Sequence, residues 1–474
     1  MIHYILLLAY TLIIIFLTLK LWKRTKEIAF MIGVALMYYW SLLGAWFFIY
    51  DDLSGQKGKS FGLHYYDFFT LVFPVHVDNS YLISVAIYAL FIIGVIMMLL
   101  WMAKPASEII TENEKPVYVN HLVLIGLCMS AALISFCIVW KEVLTAAKFH
   151  ESVYIVTRMQ PGRFFTFHQL LNQVAVVALY IGLIAYISGK KSRYITGSNK
   201  KWILAAYAFA IIFVEGYLLF LGNKREILFG GILGIIFYLN NIRFKINYKA
   251  FALFLIIIMI PLFFNDGLRA YSPEFLTKYF DTSGLEFHRL KEFEYSHFSM
   301  KNTAFTFLYS NEMFYGHFSM YGIIYKHLPF SYGTSIISLF ESIIPRFLFP
   351  DRQAPIYEYY VEHVNAVSGQ GYTIHHAAGW YLNFGIIGIL LGSFIFGWIW
   401  VKIYNVNQKV FTLKNNFLKL FFILGLAAFT AEIPTMMRSG PESYKALFFE
   451  ALLLPAIIIY FASKIGVKKS KEIS

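Results

Sequence analysis

Charged residues and cysteines are scarce in this chain of 474 residues. Asp, Glu, Lys and Arg make up 14% of it, and its only two cysteines are Cys128 and Cys137. A soluble domain is usually about a quarter charged. In a helical segment the two cysteines lie about 13 Å apart along the axis, too far for a disulfide. The composition therefore excludes a soluble globular enzyme, a disordered chain and a disulfide-rich scaffold.

Several common binding motifs are also missing. Gly58-Lys59-Ser60 resembles the end of a phosphate-binding loop, but Leu53 stands where that loop needs its first glycine. The spacing of cysteine and histidine does not suit a structural zinc ion, so the sequence predicts neither a metal nor an organic cofactor. The net charge is +13, but the basic residues form no long cluster, and nucleic acid is not a predicted partner.

Apolar sequence is abundant instead. Hydrophobic residues make up 59% of the chain and aromatic residues 19%. Because a membrane-spanning helix needs about 20 mostly apolar residues, the sequence predicts an all-α, polytopic transmembrane helix bundle of about 11 spans. The predicted spans are 2–19, 28–49, 81–103, 119–140, 168–188, 202–221, 227–240, 250–265, 379–401, 417–433 and 446–463.

The distribution of Lys and Arg predicts the orientation. More than half of these 40 residues lie in one alternating set of connections and in the C-terminal tail. Cytoplasmic connections are rich in Lys and Arg, so we expect the N-terminus outside and the C-terminus in the cytoplasm. Along the chain this predicts an N-terminal bundle of about eight spans, a large external loop and a C-terminal bundle of about three spans. Their bounds are 1–265, 266–378 and 379–474.

The loop 266–378 is far longer than the structureless connections of about 12–15 residues that compact folds tolerate. It contains more than half of the 13 histidines and many aromatic residues. Within it, 331–349 is mostly apolar and is interrupted at Pro345 and Pro350. Two interpretations are open: an amphipathic or partly re-entrant helix at the outer membrane face, or an ordinary helix in a folded loop domain.

Cationic residues recur near the predicted outer ends of spans. Lys224 and Arg225 lie at the start of the seventh span, where Asn223 and Glu226 suit a helix N-cap. A helix N-terminus with two cations suits a phosphate group, although a tight turn with cations near lipid headgroups is an alternative. The other candidates for binding phosphate are Arg269, Arg346, Arg352 and Arg438; contact with lipid phosphate is an alternative for Arg269, and an interfacial helix end for Arg346 and Arg352.

Four residues are candidates for proton transfer: Glu215, His375, His376 and Glu442. A carboxyl group inside a span is costly, so Glu215 needs a partner such as Arg225 or Arg438. The adjacent histidines do not share a helix face, which argues against a metal site, and either is a general base or an ordinary interfacial residue. Glu442 also fits a capping box with Ser439. Gly385 and Gly388 indicate close helix packing.

Together these segments resemble the Wzy-type polysaccharide polymerases, which polymerise the repeat units of O-antigens and capsules. The similarity covers most of the chain in topology, because that family also has one dominant external loop in the C-terminal third. It also rests on short patterns, in one of which Phe349 stands where the family has Trp. These patterns are Gly222-Asn-Lys-Arg225, Ile344-Pro-Arg-Phe-Leu-Phe-Pro350 with Arg352, Tyr372-Thr373, Gly379 to Gly388 and Arg438-Ser-Gly-Pro-Glu442.

The resemblance implies a GT-C-type glycosyltransferase of the bacterial inner membrane. Such an enzyme transfers a growing glycan en bloc from undecaprenyl pyrophosphate to a lipid-linked repeat unit. The implied partners are the undecaprenyl-pyrophosphate-linked oligosaccharide, membrane lipids and a chain-length regulator protein. The implied diphosphate ligands are Arg225, Arg346 and Arg438, with Lys224, Arg269 and Arg352 beside them, and the base is one of Glu215, His375, His376 and Glu442. The alternatives are an O-antigen ligase, a polysaccharide transporter and an acyltransferase.

Overall fold

A computed structural model describes most of the predicted spans and part of the large loop. The residues that it describes are 2–55, 72, 74–106, 115–149, 165–198, 200–223, 225–242, 249, 252, 254–258, 312–341, 349, 355–365 and 373–466. Four candidate phosphate ligands, Lys224, Arg269, Arg346 and Arg352, lie outside the described residues, and their roles stay predictions.

Nearly all of the described residues are helical. The helices are α1 (Ile2–Thr25), α2 (Ile28–Tyr38), α3 (Gly44–Leu53), α4 (Asn79–Met102), α5 (His121–Phe149), α6 (Phe165–Ser188), α7 (Lys201–Phe220), α8 (Arg225–Asn241), α9 (Glu312–Tyr325), α10 (Thr334–Glu341), α11 (Ile356–His363), α12 (His376–Asn407), α13 (Asn416–Met437), α14 (Ser443–Lys445) and α15 (Leu454–Gly466). Two π-helical segments, Tyr39–Leu43 and Ala446–Leu453, join α2 to α3 and α14 to α15. The strands β1 (Val117–Tyr118) and β2 (Ile195–Thr196) pair in parallel.

Nine helical segments within the described ranges are long and apolar enough to cross a membrane. They match the first six and the last three predicted spans, which confirms the all-α, polytopic transmembrane bundle. The predicted seventh span is α8, a helix of 17 residues, at the short end of the range for a span. In the predicted eighth span the described residues, 252 and 254–258, are helical. Both cysteines are free thiols.

The chain forms two compact units, each built from several separate stretches. Unit 1 contains residues 1–110, 305–409 and 432–448, and unit 2 contains 111–304, 410–431 and 449–474. The predicted segments 1–265, 266–378 and 379–474 follow the order of the chain and stay a prediction. Residues 312–341 and 355–365, which belong to the predicted external loop, are part of unit 1.

Small residues allow the helices of unit 1 to approach closely. A side chain at Gly397 would meet Cβ of Met98 at 2.8 Å, and one at Gly94 would meet Cβ of Ser393 at 2.9 Å. The two contacts are four residues apart on both helices, so α4 and α12 run parallel with Gly94 and Gly397 at their interface. This is the packing that membrane helices use where lipid offers no hydrophobic driving force.

Helix α12 is folded back on itself, which corrects the single straight span predicted at 379–401. Phe384 and Gly385 leave the helical conformation, and Gly385 has φ 60° and ψ −141°. The ring centroids of His376 and Phe396 are 5.6 Å apart, whereas 20 residues of straight helix cover about 30 Å. Residues 376–383 therefore run antiparallel to the span 386–407. Gly388 packs on the Trp380 carbonyl group, so the close packing predicted at this glycine is confirmed.

Asn383 holds a loop segment to this hairpin. Its side-chain oxygen accepts from the backbone N–H of Gly333 at 2.9 Å, and its amide donates to Ser335 Oγ at 2.7 Å. Asn383 is fully buried, so these bonds replace water. The segment around α10 is thereby attached to the bend of the α12 hairpin, which is the end of the span 386–407 that carries Ile386.

Candidate functional site

The turn between α13 and α14 is the best-defined candidate site, and it consists of residues 438–442. Ser439 forms a β-bridge with Ile374, and the N–H of Gly440 donates to the carbonyl of Ile374 at 3.2 Å. Gly440 has φ 51°, and a side chain there would meet Ile356 at 2.6 Å and Glu442 at 2.8 Å. Only glycine fits this position, which fixes the path of the turn.

Arg438 begins the turn and is half-buried. Its guanidinium group lies over the ring of Trp40, 5.4 Å from the centroid. Trp40 belongs to the π-helical segment Tyr39–Leu43. Single π-helical turns inside α-helices frequently occur at functional sites, because they redirect side chains. This cation–π contact restrains the guanidinium group, and a guanidinium fork is the side chain that matches phosphate oxygens bidentately.

Glu442 ends the turn. Its Oε1 accepts from the backbone N–H of Ile356 at 2.7 Å, at the start of α11. The predicted capping box of Ser439 and Glu442 is wrong: Glu442 itself is the N-cap of α14, in a helical conformation and without a side-chain capping bond. Burial raises the pKa of the Glu442 carboxyl group to about 7. A carboxyl group with that pKa exchanges protons readily at neutral pH.

His375 and His376 are completely buried and position this turn. His376 donates from Nδ1 to the carbonyl of Gly440 at 2.8 Å, and its Nε2 accepts from Trp380 at 3.2 Å. His375 accepts the N–H of Ala377 at Nδ1, so its Nε2 carries the proton and donates to Ser41 Oγ at 3.0 Å. Burial holds the pKa of His375 well below its usual range. Both rings act as neutral bridges between segments, and this arrangement supports a positioning role more than a role as the base.

A chain of buried polar groups continues from His375, and the residue pattern of the sequence does not predict it. His317 donates to the carbonyl of Ser41 at 2.8 Å and accepts from the Tyr81 hydroxyl group at 2.7 Å. The Oγ of Ser319 accepts from the N–H of His375 at 2.9 Å. Only the excess of histidine in the loop hints at this network, because its members are up to 334 positions apart.

The turn connects the ends of the spans Asn416–Met437 and Ser443–Ile465 and contacts the middle of a third span. Trp40 is near the middle of Ile28–Leu53 and contacts Arg438. The rings of Tyr88 and Phe91, near the middle of α4, contact His375 and His376 with centroids 4.4 and 5.9 Å apart. Irregular backbone at membrane depth is tolerated where protein groups satisfy it. The bridge to Ile374 and the bond from His376 supply those partners.

Unit 2 contains the other two candidate residues that the structure describes. Arg225 is the first residue of α8, and its guanidinium group forms an ion pair with Glu450 at 3.7 Å. Glu215 is buried in α7 and accepts a short hydrogen bond from the Tyr180 hydroxyl group. The structure thus gives Glu215 a tyrosine partner, where the sequence suggests an arginine. Gly222 follows the C-terminal end of α7 with φ 71°.

Among the predicted site residues, the structure therefore brings Arg438, Glu442, His375 and His376 together within unit 1. Glu215 and Arg225 belong to unit 2, each with a partner of its own. The Arg438–Glu442 turn combines a fixed cation with a carboxyl group that titrates near neutrality. It can bind an anion and accept a proton within one short segment.

The pKa of Glu442 predicts a pH-dependent stability. The carboxyl group titrates at about 4.5 when it is unfolded and at about 7 in the fold. Because the folded-state pKa is raised, its contribution is fully present below pH 4.5 and is lost as the pH rises through 7. We expect the melting temperature of the wild-type protein, minus that of Glu442→Gln, to fall as the pH rises from 4.5 to 7. The shift sets an upper bound of about 3 kcal/mol, and partial exposure lowers it.

The measurement is thermal unfolding in detergent at several pH values. The control is Glu362→Gln, which changes an exposed carboxyl group of α11. A wild-type protein that gains stability over Glu442→Gln as the pH rises from 4.5 to 7 contradicts the prediction.

Comparison of the chain with models of protein families, with curated proteins and with solved structures finds no match.

Proposed function

We propose that this protein is a polysaccharide polymerase. It transfers a growing glycan en bloc from undecaprenyl pyrophosphate to a lipid-linked repeat unit at the outer face of a bacterial inner membrane, with its N-terminus outside and its C-terminus in the cytoplasm. The observation that carries the proposal is the Arg438–Glu442 turn, where the guanidinium group lies over Trp40 and the buried Glu442 carboxyl group binds the N–H of Ile356. Ionisable groups at membrane depth are costly, which favours a functional role.

The proposed reaction uses both ends of the turn. A hydroxyl oxygen of the acceptor sugar attacks the anomeric carbon of the donor glycan, and the bond from that carbon to the diphosphate oxygen breaks. Glu442 accepts the hydroxyl proton, and undecaprenyl pyrophosphate leaves with the bonding electron pair. Arg438 stabilises the negative charge that develops on the leaving oxygen, an interaction that is strong in a site with little water. The activated donor bond supplies the driving force.

The remaining cations are assigned by resemblance. Arg225 is a second candidate ligand of the donor diphosphate, and Glu450 orients its guanidinium group through their ion pair. Lys224, Arg269, Arg346 and Arg352 lie outside the described residues. His375 and His376 position the turn in this proposal, and Glu215 is a buried partner of Tyr180.

Reconstitution tests this proposal. The purified protein in nanodiscs receives one lipid-pyrophosphate-linked repeat unit, and the products are separated on a gel. We expect a ladder of lengths, and we expect Arg225→Ala and Arg346→Ala to abolish it in folded protein. Lys200→Ala, at an exposed residue on the predicted cytoplasmic side, is the control and should leave the ladder unchanged. Transfer that appears only when lipid A-core is added indicates a ligase instead.

A transporter is the second candidate, and the contact of Arg438 with the middle of the span Ile28–Leu53 favours it. Many transporters bind their substrate near the bilayer midplane, where polar groups are otherwise costly. The two candidates differ in a single readout. A transporter moves the lipid-linked glycan across a vesicle bilayer without forming a covalent product, and that outcome would overturn the enzyme proposal.

A further inference from the structure

Helix α10 has its polar side facing the protein and its apolar side exposed. Ser335 and Ser338 are buried, with exposed fractions of 0% and 3%, whereas Ile337 and Phe340 are exposed by 48% and 65%. Ser335 also receives the hydrogen bond from Asn383. A helix that covers a water-soluble domain has the opposite arrangement, with apolar residues inside and polar residues in solvent.

Helix α11 provides a matched comparison within the same unit. It also has 8 residues, and its apolar residues Ile356, Tyr360 and Val361 are buried, whereas Glu358 and Glu362 are exposed. Its exposed side is therefore suited to water. Two helices of equal length in the same loop thus have outer surfaces of opposite chemistry, so the apolar surface of α10 is a local property of that helix.

The apolar side of α10 lies next to the lipid-facing side of α12. The backbone N–H of Ser331 donates to the carbonyl of Leu382 at 2.8 Å, and a side chain at Gly385 would meet Phe330 at 3.1 Å. The segment thus lies at the bend that precedes Ile386. From this bend onward the outer stripe of α12 is apolar; its exposed members are Ile386, Ile387, Leu390, Leu391 and Phe394. In a membrane-spanning helix such a stripe contacts lipid.

We propose that residues 330–341 form a lipid-contact surface at the end of the span 386–407, where Phe330, Tyr332, Ile337 and Phe340 contact the acyl chains and the headgroup boundary. The surface continues the lipid-facing stripe of α12, and its tyrosine and phenylalanine residues suit the membrane interface. The buried serines attach α10 to the protein, while its apolar side anchors the loop in the bilayer. The inference depends on the transmembrane fold and not on the proposed enzymatic function.

Spin-label accessibility tests this surface. Single cysteines at Ile337, Phe340 and Tyr332 are introduced into a protein in which Cys128 and Cys137 are replaced by alanine, and nitroxide labels are attached in lipid nanodiscs. Ile387→Cys is the lipid reference, since this residue is 66% exposed on the α12 stripe. Glu362→Cys, on α11, is the aqueous reference.

We expect labels at 337 and 340 to collide with oxygen, which partitions into the bilayer, several-fold more often than with a water-soluble nickel complex. Their ratio should match that of the label at 387. A ratio like that at 362 overturns the proposal, because it places the surface in water. Low collision rates with both reagents also overturn it, because they show that protein, such as a second copy of the chain, covers α10. If one of the other variants does not fold, the label at Tyr332 is compared with the same two references.

Discussion

Replacement of Arg438 by alanine is expected to lower the rate of glycan transfer about 10²–10³-fold, the usual loss when one preorganised donor to a developing negative charge is removed. The guanidinium group is held over Trp40, and its turn is fixed by His376 and by the bridge from Ile374. In the proposed reaction, little reorganisation is therefore needed when charge develops on the leaving diphosphate. The measurement is the initial rate of ladder formation in nanodiscs, with thermal stability recorded for every variant.

Two further variants make this result specific. Arg438→Lys keeps the charge but loses the planar fork, so we expect an intermediate rate. Lys402→Ala removes another cation that lies over a ring, that of Trp398 at 5.8 Å, and should leave the rate unchanged. A folded Arg438→Ala protein that polymerises within about twofold of the wild-type rate, well short of the expected loss, removes this residue from the proposed mechanism.

The transmembrane spans can be predicted from the sequence because they depend on a local property. About 20 consecutive apolar residues are costly to place anywhere except in a bilayer. The structure shows nine of them as helices within the described ranges. The same reasoning fails at α12, where the apolar pattern runs through the bend without interruption. The bend depends on Gly385, whose conformation only glycine adopts readily, and on Asn383, whose partners come from residues 331–335.

The site is only partly predictable for a similar reason. Arg438 can be identified from its own surroundings, because an arginine in a glycine–proline turn between two apolar runs is unusual. Its aromatic partner cannot be identified in this way, because Trp40 comes from the start of the chain. The predicted capping box of Ser439 and Glu442 is wrong because a local motif does not show which distant backbone groups also bind the same side chain. Here Ile356 supplies the N–H to which Glu442 binds.

The buried histidines show the same limit. From the sequence, adjacent histidines before an apolar run suit either a base or an interfacial residue. The structure encloses both among partners from distant segments: Ser41 for His375, and the carbonyl of Gly440 for His376. The protonation and hydrogen bonding of these histidines thus depend on tertiary contacts, which produce no recognisable pattern in the sequence. His317 is part of the same network for the same reason.

Gly388→Ala is expected to lower the free energy of unfolding more than alanine at any other glycine of the α4–α12 interface or the α12 hairpin. An added Cβ overlaps the backbone carbonyl of Trp380, which cannot rotate away as a side chain can. Overpacking of this kind costs about 1–3 kcal/mol, and more where backbone must move. We expect a clear fall in the melting temperature and a loss of monodisperse protein on gel filtration.

The matched control is Gly126→Ala in α5, where an added Cβ has no atom within 4 Å. This change should be neutral or stabilising by up to about 1 kcal/mol, because alanine favours a helix over glycine. Gly385→Ala tests the same hairpin independently, since a side chain at φ 60° and ψ −141° is strained by about 1–3 kcal/mol. If α12 were straight, Gly388 would not contact Trp380 and Gly385 would have helical dihedral angles. Both variants would then behave like Gly126→Ala. Equal melting temperatures for the three variants would therefore exclude the hairpin, and with it the position of His376 beside the Arg438–Glu442 turn.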